Sequence, residues 1–271
     1  MYLEESKVGF IGAGNMANAI ISGIIKAKTF PANHLYIFDR HQEKCTKMST
    51  DMGIHPVSSA KELAQVCDVI FLAVKPQNFS EVLTSISCEV NESKLIVSIA
   101  AGISCEYVVK HLNCNCPVIR TMPNTPLLIG KGATAMCRTS NVSDERFLFV
   151  QSLFAACGTV TVLQENQMNE IISVSGSSPA YIYLFAKAMI DGAVQQGIDS
   201  QTALQLICQT LEGSAEMLLQ SGFSPDELIK MVSSRGGTTV EALSVFNQYN
   251  FERIVLDAML ACTKKAKELG K

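Results

Sequence analysis

The chain has 271 residues, of which 48% are apolar, and its formal net charge is −3. This length suits one large domain or two ordinary ones, and the apolar content excludes a disordered or fibrous chain. The basic residues form no run or stripe, so neither nucleic acid nor an anionic membrane is an expected partner. Apolar stretches fall short of the roughly 20 residues that span a bilayer, and the acidic N-terminus is unlike a secretory signal, which together predict a cytoplasmic protein.

The first 160 residues alternate short apolar runs with stretches of helical periodicity. Strands are predicted at 7–11, 35–38, 69–74, 95–100, 117–122, 132–137 and 158–163, and helices at 15–28, 42–52, 60–66, 78–87 and 143–157. The run Val69–Val74 is continuously apolar, which is typical of a parallel strand covered on both faces. The order of elements therefore predicts an α/β domain with a mostly parallel sheet over residues 1–163.

Residues 164–271 are predicted to form an all-α domain. Helical spacing covers 179–195, 200–220, 225–232, 239–248 and 251–269. Only five of the 55 residues from 171 to 225 are charged. Such helices carry more apolar surface than a small domain can bury by itself. We therefore predict that this domain pairs with a second subunit to form a homodimer.

Ten cysteines are spread along the chain without any Cys-x-x-Cys pair. None of the four histidines lies at a zinc-ligand offset from them. The spacing predicts reduced, mostly buried thiols and no metal site.

A glycine-rich turn joins the first predicted strand to the first predicted helix. Gly12, Gly14 and Ala17 form a Gly-x-Gly-x-x-Ala motif. Gly12 permits the tight turn, Gly14 lets the backbone approach a pyrophosphate, and Ala17 allows close packing of helix on strand. Because the motif follows a strand and opens a helix, it predicts a Rossmann-like, dinucleotide-binding domain.

Two adjacent residues disagree about the nicotinamide cofactor. Asp39 at the end of the second strand would accept hydrogen bonds from a ribose 2′-hydroxyl, which favours NAD. Arg40 would attract a 2′-phosphate, which favours NADP. The cofactor is therefore predicted as NADPH or NADH, with both alternatives open.

Further cofactor residues are expected at the carboxyl ends of neighbouring strands, where ligands bind in this fold. Lys75 would contact the cofactor or a substrate carbonyl, with a surface lysine as the alternative. Small residues around Ala100 suit a backbone that passes close to a flat ring. The predicted cofactor-binding residues are Ile11, Gly12, Ala13, Gly14, Asn15, Met16, Asp39, Arg40, Ala73, Val74, Lys75, Pro76, Ala100 and Asn124.

Three further stretches are rich in conformationally constrained residues. They are Arg120–Pro126, Ser175–Tyr181 and Ser233–Thr239. In the last, two glycines and two threonines open a helix, and consecutive N–H groups at a helix N-terminus form a receptor for a carboxylate. Ordinary turn and cap chemistry is the alternative for each stretch.

The segments GFIGAGNM, LAVKPQ, RTMPNTP, SGSSPAY and SSRGGTT, in this order, resemble the pyrroline-5-carboxylate reductase family over essentially the whole chain. The resemblance implies reduction of the cyclic imine 1-pyrroline-5-carboxylate to L-proline with NADPH or NADH, the last step of proline biosynthesis. It also implies an N-terminal Rossmann domain and a helical domain that interlocks with its twin. Dimers of this family often assemble further, including to decamers.

Site residues are carried over by motif. The resemblance implies a carboxylate site on the backbone of Gly237 and Thr238, and a threonine, Thr239, whose hydroxyl faces the ring nitrogen. The predicted substrate-binding residues are Glu165, Ser177, Gly236, Gly237, Thr238 and Thr239, and Thr239 is the predicted catalytic residue. Two positions depart from the family pattern, since Arg235 replaces a proline and Ser178 a glycine.

Two alternative functions stay open at this stage. A β-hydroxyacid dehydrogenase of related architecture would need a catalytic lysine in the helical domain, and Lys187 is the only lysine between residues 165 and 229. A non-catalytic NAD(P)-sensing regulator would keep the fold without turnover, and the departures at Arg235 and Ser178 keep that alternative open.

Overall fold

A computed structural model describes residues 5–270 of the chain. The first four residues, which contribute to the prediction about secretion, lie outside the described part. Eight strands form one sheet in the order β3-β2-β1-β4-β5-β6-β7-β8. They are β1 Val8–Ile11, β2 Leu35–Phe38, β3 His55–Pro56, β4 Val69–Leu72, β5 Leu95–Ser98, β6 Val118–Met122, β7 Gly132–Arg138 and β8 Gly158–Val162. All neighbouring pairs are parallel except β6 with β7, which confirms the predicted mostly parallel sheet.

Helices connect these strands and follow β8. They are α1 Asn15–Lys26, α2 Gln42–Met52, α3 Ala60–Val66, α4 Phe79–Ile86, α5 Cys105–Leu112, α6 Asp144–Ala155, α7 Ser178–Gln195, α8 Ser200–Gln220, α9 Pro225–Met231, α10 Thr238–Gln248 and α11 Phe251–Leu269. Several begin at a serine whose hydroxyl accepts a first-turn N–H, as Ser59, Ser104 and Ser143 do. Ser224 and Glu227 form a capping box at the start of α9.

The sheet is covered on both faces, which explains its continuous apolar strands. One face includes Phe10 and Phe71, whose rings stack with centroids 4.4 Å apart. The other face includes Ile11, Ile70 and Leu72. Alternate residues of β1 and β4 thus enter opposite cores, and a strand in that position needs apolar side chains throughout.

The chain divides into two compact units at different points from the predicted 163/164 boundary. One unit contains the described residues up to Pro179 and those from Cys262 onward, and the other is Ala180–Ala261. Met168 and Ile172 belong to the first unit because their side chains are buried there. The end of α11 belongs there because it packs so closely on Gly102 that a Cβ at this glycine would lie 2.4 Å from the Ala266 carbonyl oxygen.

The unit Ala180–Ala261 is entirely helical and exposes many large apolar side chains. Its exposed apolar residues include Tyr183, Leu184, Leu206, Leu218, Leu219, Met231, Val232, Val245, Tyr249, Ile254 and Leu260. Leu219 is 84% exposed and Leu184 is 68% exposed. Among the described residues, no helix is both long and apolar enough to cross a membrane.

Candidate functional site

The strand order reverses at β1, whose carboxyl end lies beside that of β4. Ile11 and Leu72 are paired at these ends, and β2 lies on the other side of β1. After β1 the chain adds β2 and β3 toward one edge of the sheet, and β4, β5 and β6 then extend toward the other edge. Ligands of open α/β sheets bind at such a switch point.

Gly12 is required by the fold itself. Its φ is +111°, a region that suits glycine, and a Cβ there would lie 2.5 Å from the carbonyl oxygen of Ala73. Its N–H donates to the Phe38 carbonyl oxygen at 2.7 Å. Gly12 thus lets the chain turn directly after β1, where the backbone passes between the carboxyl end of β2 and the residue that follows β4.

Gly14 is not required by any contact of this kind. It is the N-cap of α1 with φ −80° and ψ 176°, values that an alanine adopts, and a Cβ there would meet no atom within 4 Å. Gly14 and Asn15 are exposed, whereas Ala17 is fully buried under the sheet. A glycine at this point is explained by a ligand that approaches the backbone, and the α1 N-terminus suits a pyrophosphate. The turn therefore fits a dinucleotide.

Asp39 is tied to the glycine turn. Its Oδ2 accepts a hydrogen bond from the Ala13 N–H at 2.9 Å, and its Oδ1 accepts one from the His41 N–H at 2.9 Å. Partial burial acts to raise the pKa of Asp39, but these hydrogen bonds outweigh it, so the pKa is lowered from its ordinary value. The carboxylate is therefore ionised at neutral pH, and the exposed Arg40 follows it.

The remaining predicted cofactor residues of the sheet lie at the same edge. The Ala73 N–H donates to the Ile11 carbonyl oxygen at 2.8 Å, which continues the β1–β4 pairing by one residue. Lys75 is exposed, Val74 and Pro76 are half-buried, and Ala100 is buried just after β5. All of them follow the carboxyl ends of central strands.

Asn124 has a structural role that its motif does not predict. Its side-chain oxygen accepts the Ala133 N–H at 2.9 Å, and its amide nitrogen donates to the Ser175 carbonyl oxygen at 3.0 Å. The side chain is 7% exposed. Asn124 therefore joins the loop after β6 to the segment before α7, and its prediction as a cofactor contact stays a prediction.

Glu165 begins a 3-10 turn, Glu165–Gln167, and belongs to a polar cluster at the end of the sheet. Its Oε1 accepts the Cys105 N–H at the start of α5 at 2.7 Å and lies 3.5 Å from Nη1 of Arg120. Arg120 is only 3% exposed and donates through Nη2 to the Asn169 side-chain oxygen at 2.7 Å. The carboxylate of Glu165, a predicted substrate-binding residue, is thus held by the buried guanidinium of Arg120. No residue close to Glu165 in sequence indicates this contact.

Ser177 follows a π-helical turn, Ile172–Gly176, that precedes α7. Its hydroxyl lies 3.4 Å from the Cys262 Sγ, and its N–H donates to the Ile172 carbonyl oxygen at 2.7 Å. Turns of this type occur often at functional sites. The segment Ser175–Tyr181 therefore begins α7 through a π-helical turn, which is wider than an α-helical one.

The predicted carboxylate receptor, Gly236–Thr239, belongs to the other unit. Gly236 has φ +72° and Gly237 is the N-cap of α10. In the part of the chain that the structure describes, no side chain caps this helix. Thr238 and Thr239 begin α10, so the main-chain N–H groups of its first turn are presented by the predicted residues.

These features define an oxidoreductase of the Rossmann class that binds NAD(P)H. Residues 7–102 match a family model described as NADP oxidoreductase, coenzyme F420-dependent. Residues 165–269 match a family model described as pyrroline-5-carboxylate reductase dimerisation.

Similar proteins cover nearly the whole chain. A pyrroline-5-carboxylate reductase of Escherichia coli is 38% identical over 98% of this chain and 99% of its own length. One of Methanosarcina acetivorans is 33% identical over 99% and 100%. The crystal structure of a Plasmodium falciparum pyrroline carboxylate reductase with NADP bound superposes with a TM-score of 0.92 at 31% identity, covering 99% of each chain. The chain belongs to the pyrroline-5-carboxylate reductase family.

Proposed function

We propose that this chain reduces 1-pyrroline-5-carboxylate to L-proline with NAD(P)H, as the last step of proline biosynthesis. The observation that supports it most directly is the end-to-end match to reductases that carry this name. Both the nucleotide turn and the α10 motif belong to the matched length. A homodimer through the helical residues is supported by the dimerisation family match and accounts for the many exposed apolar side chains.

In this proposal the chain's own residues orient the two reactants. The reduced cofactor supplies a hydride. The Gly12–Met16 turn holds its pyrophosphate, while Ala73–Pro76 and Ala100 flank it at the edge of the sheet. The N–H groups of Gly237 and Thr238 hold the substrate carboxylate at the N-terminus of α10. Thr239 contributes a hydroxyl that hydrogen-bonds the ring nitrogen and stabilises the amine as it forms.

The guanidinium of Arg40 favours the phosphorylated cofactor against the repulsion of a 2′-phosphate by the ionised Asp39. Both Asp39 oxygens already accept hydrogen bonds from main-chain N–H groups. Arg40 is exposed next to them and offers a guanidinium to a 2′-phosphate. We expect NADPH to be preferred. Arg40→Ala should raise KM for NADPH at least about 10-fold, which is about 1.4 kcal/mol, and leave KM for NADH nearly unchanged. Equal changes for both cofactors would contradict the role of Arg40.

The position of Lys187 does not support the alternative function of a β-hydroxyacid dehydrogenase. Lys187 is 70% exposed in α7 and forms an ion pair with Asp191 one turn later. An exposed i,i+4 ion pair of this kind is ordinary helix-surface chemistry and indicates no substrate-facing role for Lys187.

The test is NADPH and NADH oxidation by the full chain with racemic pyrroline-5-carboxylate, with product identified as proline. A matched assay with small 3-hydroxy acids and NADP+ covers the dehydrogenase alternative. Cofactor binding without turnover on either substrate class would favour the sensing regulator. We further propose a cytoplasmic location, which suits ten free thiols, and assembly of dimers into decamers, which light scattering of the purified protein tests.

A further inference from the structure

Two buried thiols and one carboxylate meet beside Arg120. Cys105 is the first residue of α5, Cys137 lies in β7, and Glu165 begins the turn after β8. The two Sγ atoms and a carboxylate oxygen of Glu165 lie within 4.8 Å of one another. Cys105 is 2% exposed and Cys137 is 3% exposed. Three separate elements thus direct three metal-ligating groups to one point.

The carboxylate is fixed in place. Its Oε1 receives the Cys105 N–H at 2.7 Å and faces the Arg120 guanidinium, which Asn169 orients from behind. Arg120 also pairs with Cys137 in the register of β6 and β7, so both side chains project from the same face of the sheet. The side chain of Glu165 is 37% exposed, which gives the cluster a route to solvent.

The surroundings of Cys105 disfavour its thiolate in the absence of a cation. The hydrogen bond with Cys137, together with burial and the nearby carboxylate, raises the pKa of Cys105 far above its ordinary value. Counted formally, one carboxylate, one guanidinium and two thiols sum to zero charge.

We propose that Cys105, Cys137 and Glu165 form a binding site for one thiophilic divalent cation, with Zn²⁺ as the expected ion. Zinc ligands at about 2.0–2.3 Å from a tetrahedral ion are roughly 3.5–3.8 Å apart, so the distances within the cluster need to shorten by at most about 1.3 Å. Water completes the coordination. The cation replaces the two thiol protons, which leave to solvent, and two thiolates, the carboxylate, Arg120 and the ion again sum to zero. Charge-neutral exchange avoids the cost of burying a net charge.

Metal binding has a consequence that depends on the proposed function. Glu165 is a predicted substrate residue, and a cation at this site takes its carboxylate as a ligand. Reductase activity should therefore fall as the site fills and return when EDTA removes the ion.

The experiment measures binding directly and independently of turnover. The reduced, metal-free full chain is titrated with Co²⁺ without oxygen and in the presence of a phosphine reductant. We expect a thiolate-to-cobalt charge-transfer band and tetrahedral visible bands that saturate at one Co²⁺ per chain, and stoichiometric Zn²⁺ should remove them.

Matched variants locate the site. Cys105→Ser and Cys137→Ser should each remove the charge-transfer bands or weaken Zn²⁺ binding by more than about 10-fold. Two control variants should retain the charge-transfer bands and the Zn²⁺ affinity. They are Cys88→Ser, at an exposed thiol, and Cys114→Ser, whose thiol neighbours that of Cys116. Circular dichroism and thermal unfolding check that each variant is folded. Cobalt bands at one Co²⁺ per chain that persist in Cys114→Ser test the site even if a buried variant fails to fold.

Two results would overturn the proposal. They are the absence of cobalt bands, or retention of the bands in a folded Cys105→Ser or Cys137→Ser chain. A metal-loaded chain that keeps full reductase activity would instead remove Glu165 from substrate binding and leave the metal site standing. A chain that binds Zn²⁺ but reduces no pyrroline-5-carboxylate would contradict the proposed function alone.

Discussion

Two glycines two residues apart should respond in opposite ways to the same substitution. Gly12→Ala places a Cβ 2.5 Å from the Ala73 carbonyl oxygen at a φ of +111°. Backbone strain of about 1–3 kcal/mol and a similar cost of steric overlap sum to about 4 kcal/mol. At about 2–4 °C per kcal/mol for a unit of this size, Tm should fall by about 8–16 °C.

Gly14→Ala meets no atom of the protein within 4 Å at a φ of −80°. The free energy of unfolding should stay level or rise by about 0.4–1 kcal/mol, because alanine restricts the unfolded chain. The methyl group nevertheless occupies the space through which a pyrophosphate reaches the α1 N-terminus. We expect Kd for NADPH to rise at least about 10-fold, or about 1.4 kcal/mol.

Thermal unfolding without cofactor and NADPH fluorescence titration measure the two effects separately. The wild type and both variants are compared at one protein concentration, since assembly changes Tm. If Gly14→Ala bound NADPH as tightly as the wild type, the turn would not hold the pyrophosphate. If Gly12→Ala unfolded at the wild-type temperature, the described turn geometry would be wrong.

Three other outcomes follow from the site and the core. Thr239→Ala should lower kcat about 10–1,000-fold with little change in Kd for NADPH, and Thr239→Ser should recover most of the loss; unaltered turnover in the alanine variant would exclude the hydroxyl from the reaction. The folded-state pKa of Asp39 lies below its ordinary value of 3.8, so the stability that its carboxylate contributes is present above pH 3.8 and is lost as pH falls through the folded-state pKa. Acid unfolding of Asp39→Asn should therefore depend less on pH than that of the wild type. Burial raises the pKa of Cys67 from 9.0 to about 12, so the free energy of unfolding measured in urea should fall between about pH 9 and 12. A urea midpoint that stays constant over that interval would refute this assignment. Cys88→Ser, at an exposed thiol, serves as the control.

The main strands could be predicted because each is an apolar run bounded by breakers. The positions of β1, β2, β4 and β5 follow the sequence to within one or two residues. The two residues of β3, His55–Pro56, are both exposed and carry no apolar pattern, so only their pairing with β2 makes them a strand. Helix α5 was not predicted although Ser104 provides an N-cap, because eight residues give too little periodicity beside a long apolar run.

The nucleotide turn could also be predicted, since its residues are consecutive. The cluster around Glu165 could not, because its members are far apart in sequence: Glu165 is 60 residues from Cys105 and Arg120 is 49 from Asn169. Only the packing of α5 and the turn after β8 against the sheet brings these groups together. The π-helical turn before Ser177 is equally invisible in sequence, because its hydrogen-bond register depends on the side chains packed around it.

The exposed apolar residues of Ala180–Ala261 make concentration a thermodynamic variable of this protein. When burial of such residues requires a partner, folding and pairing form one equilibrium. Each tenfold dilution then removes about 1.4 kcal/mol from the dissociation free energy of a dimer. An unfolding midpoint is therefore meaningful only when the protein concentration is stated with it. A newly synthesised chain is least stable against unfolding when few copies are present to pair with it.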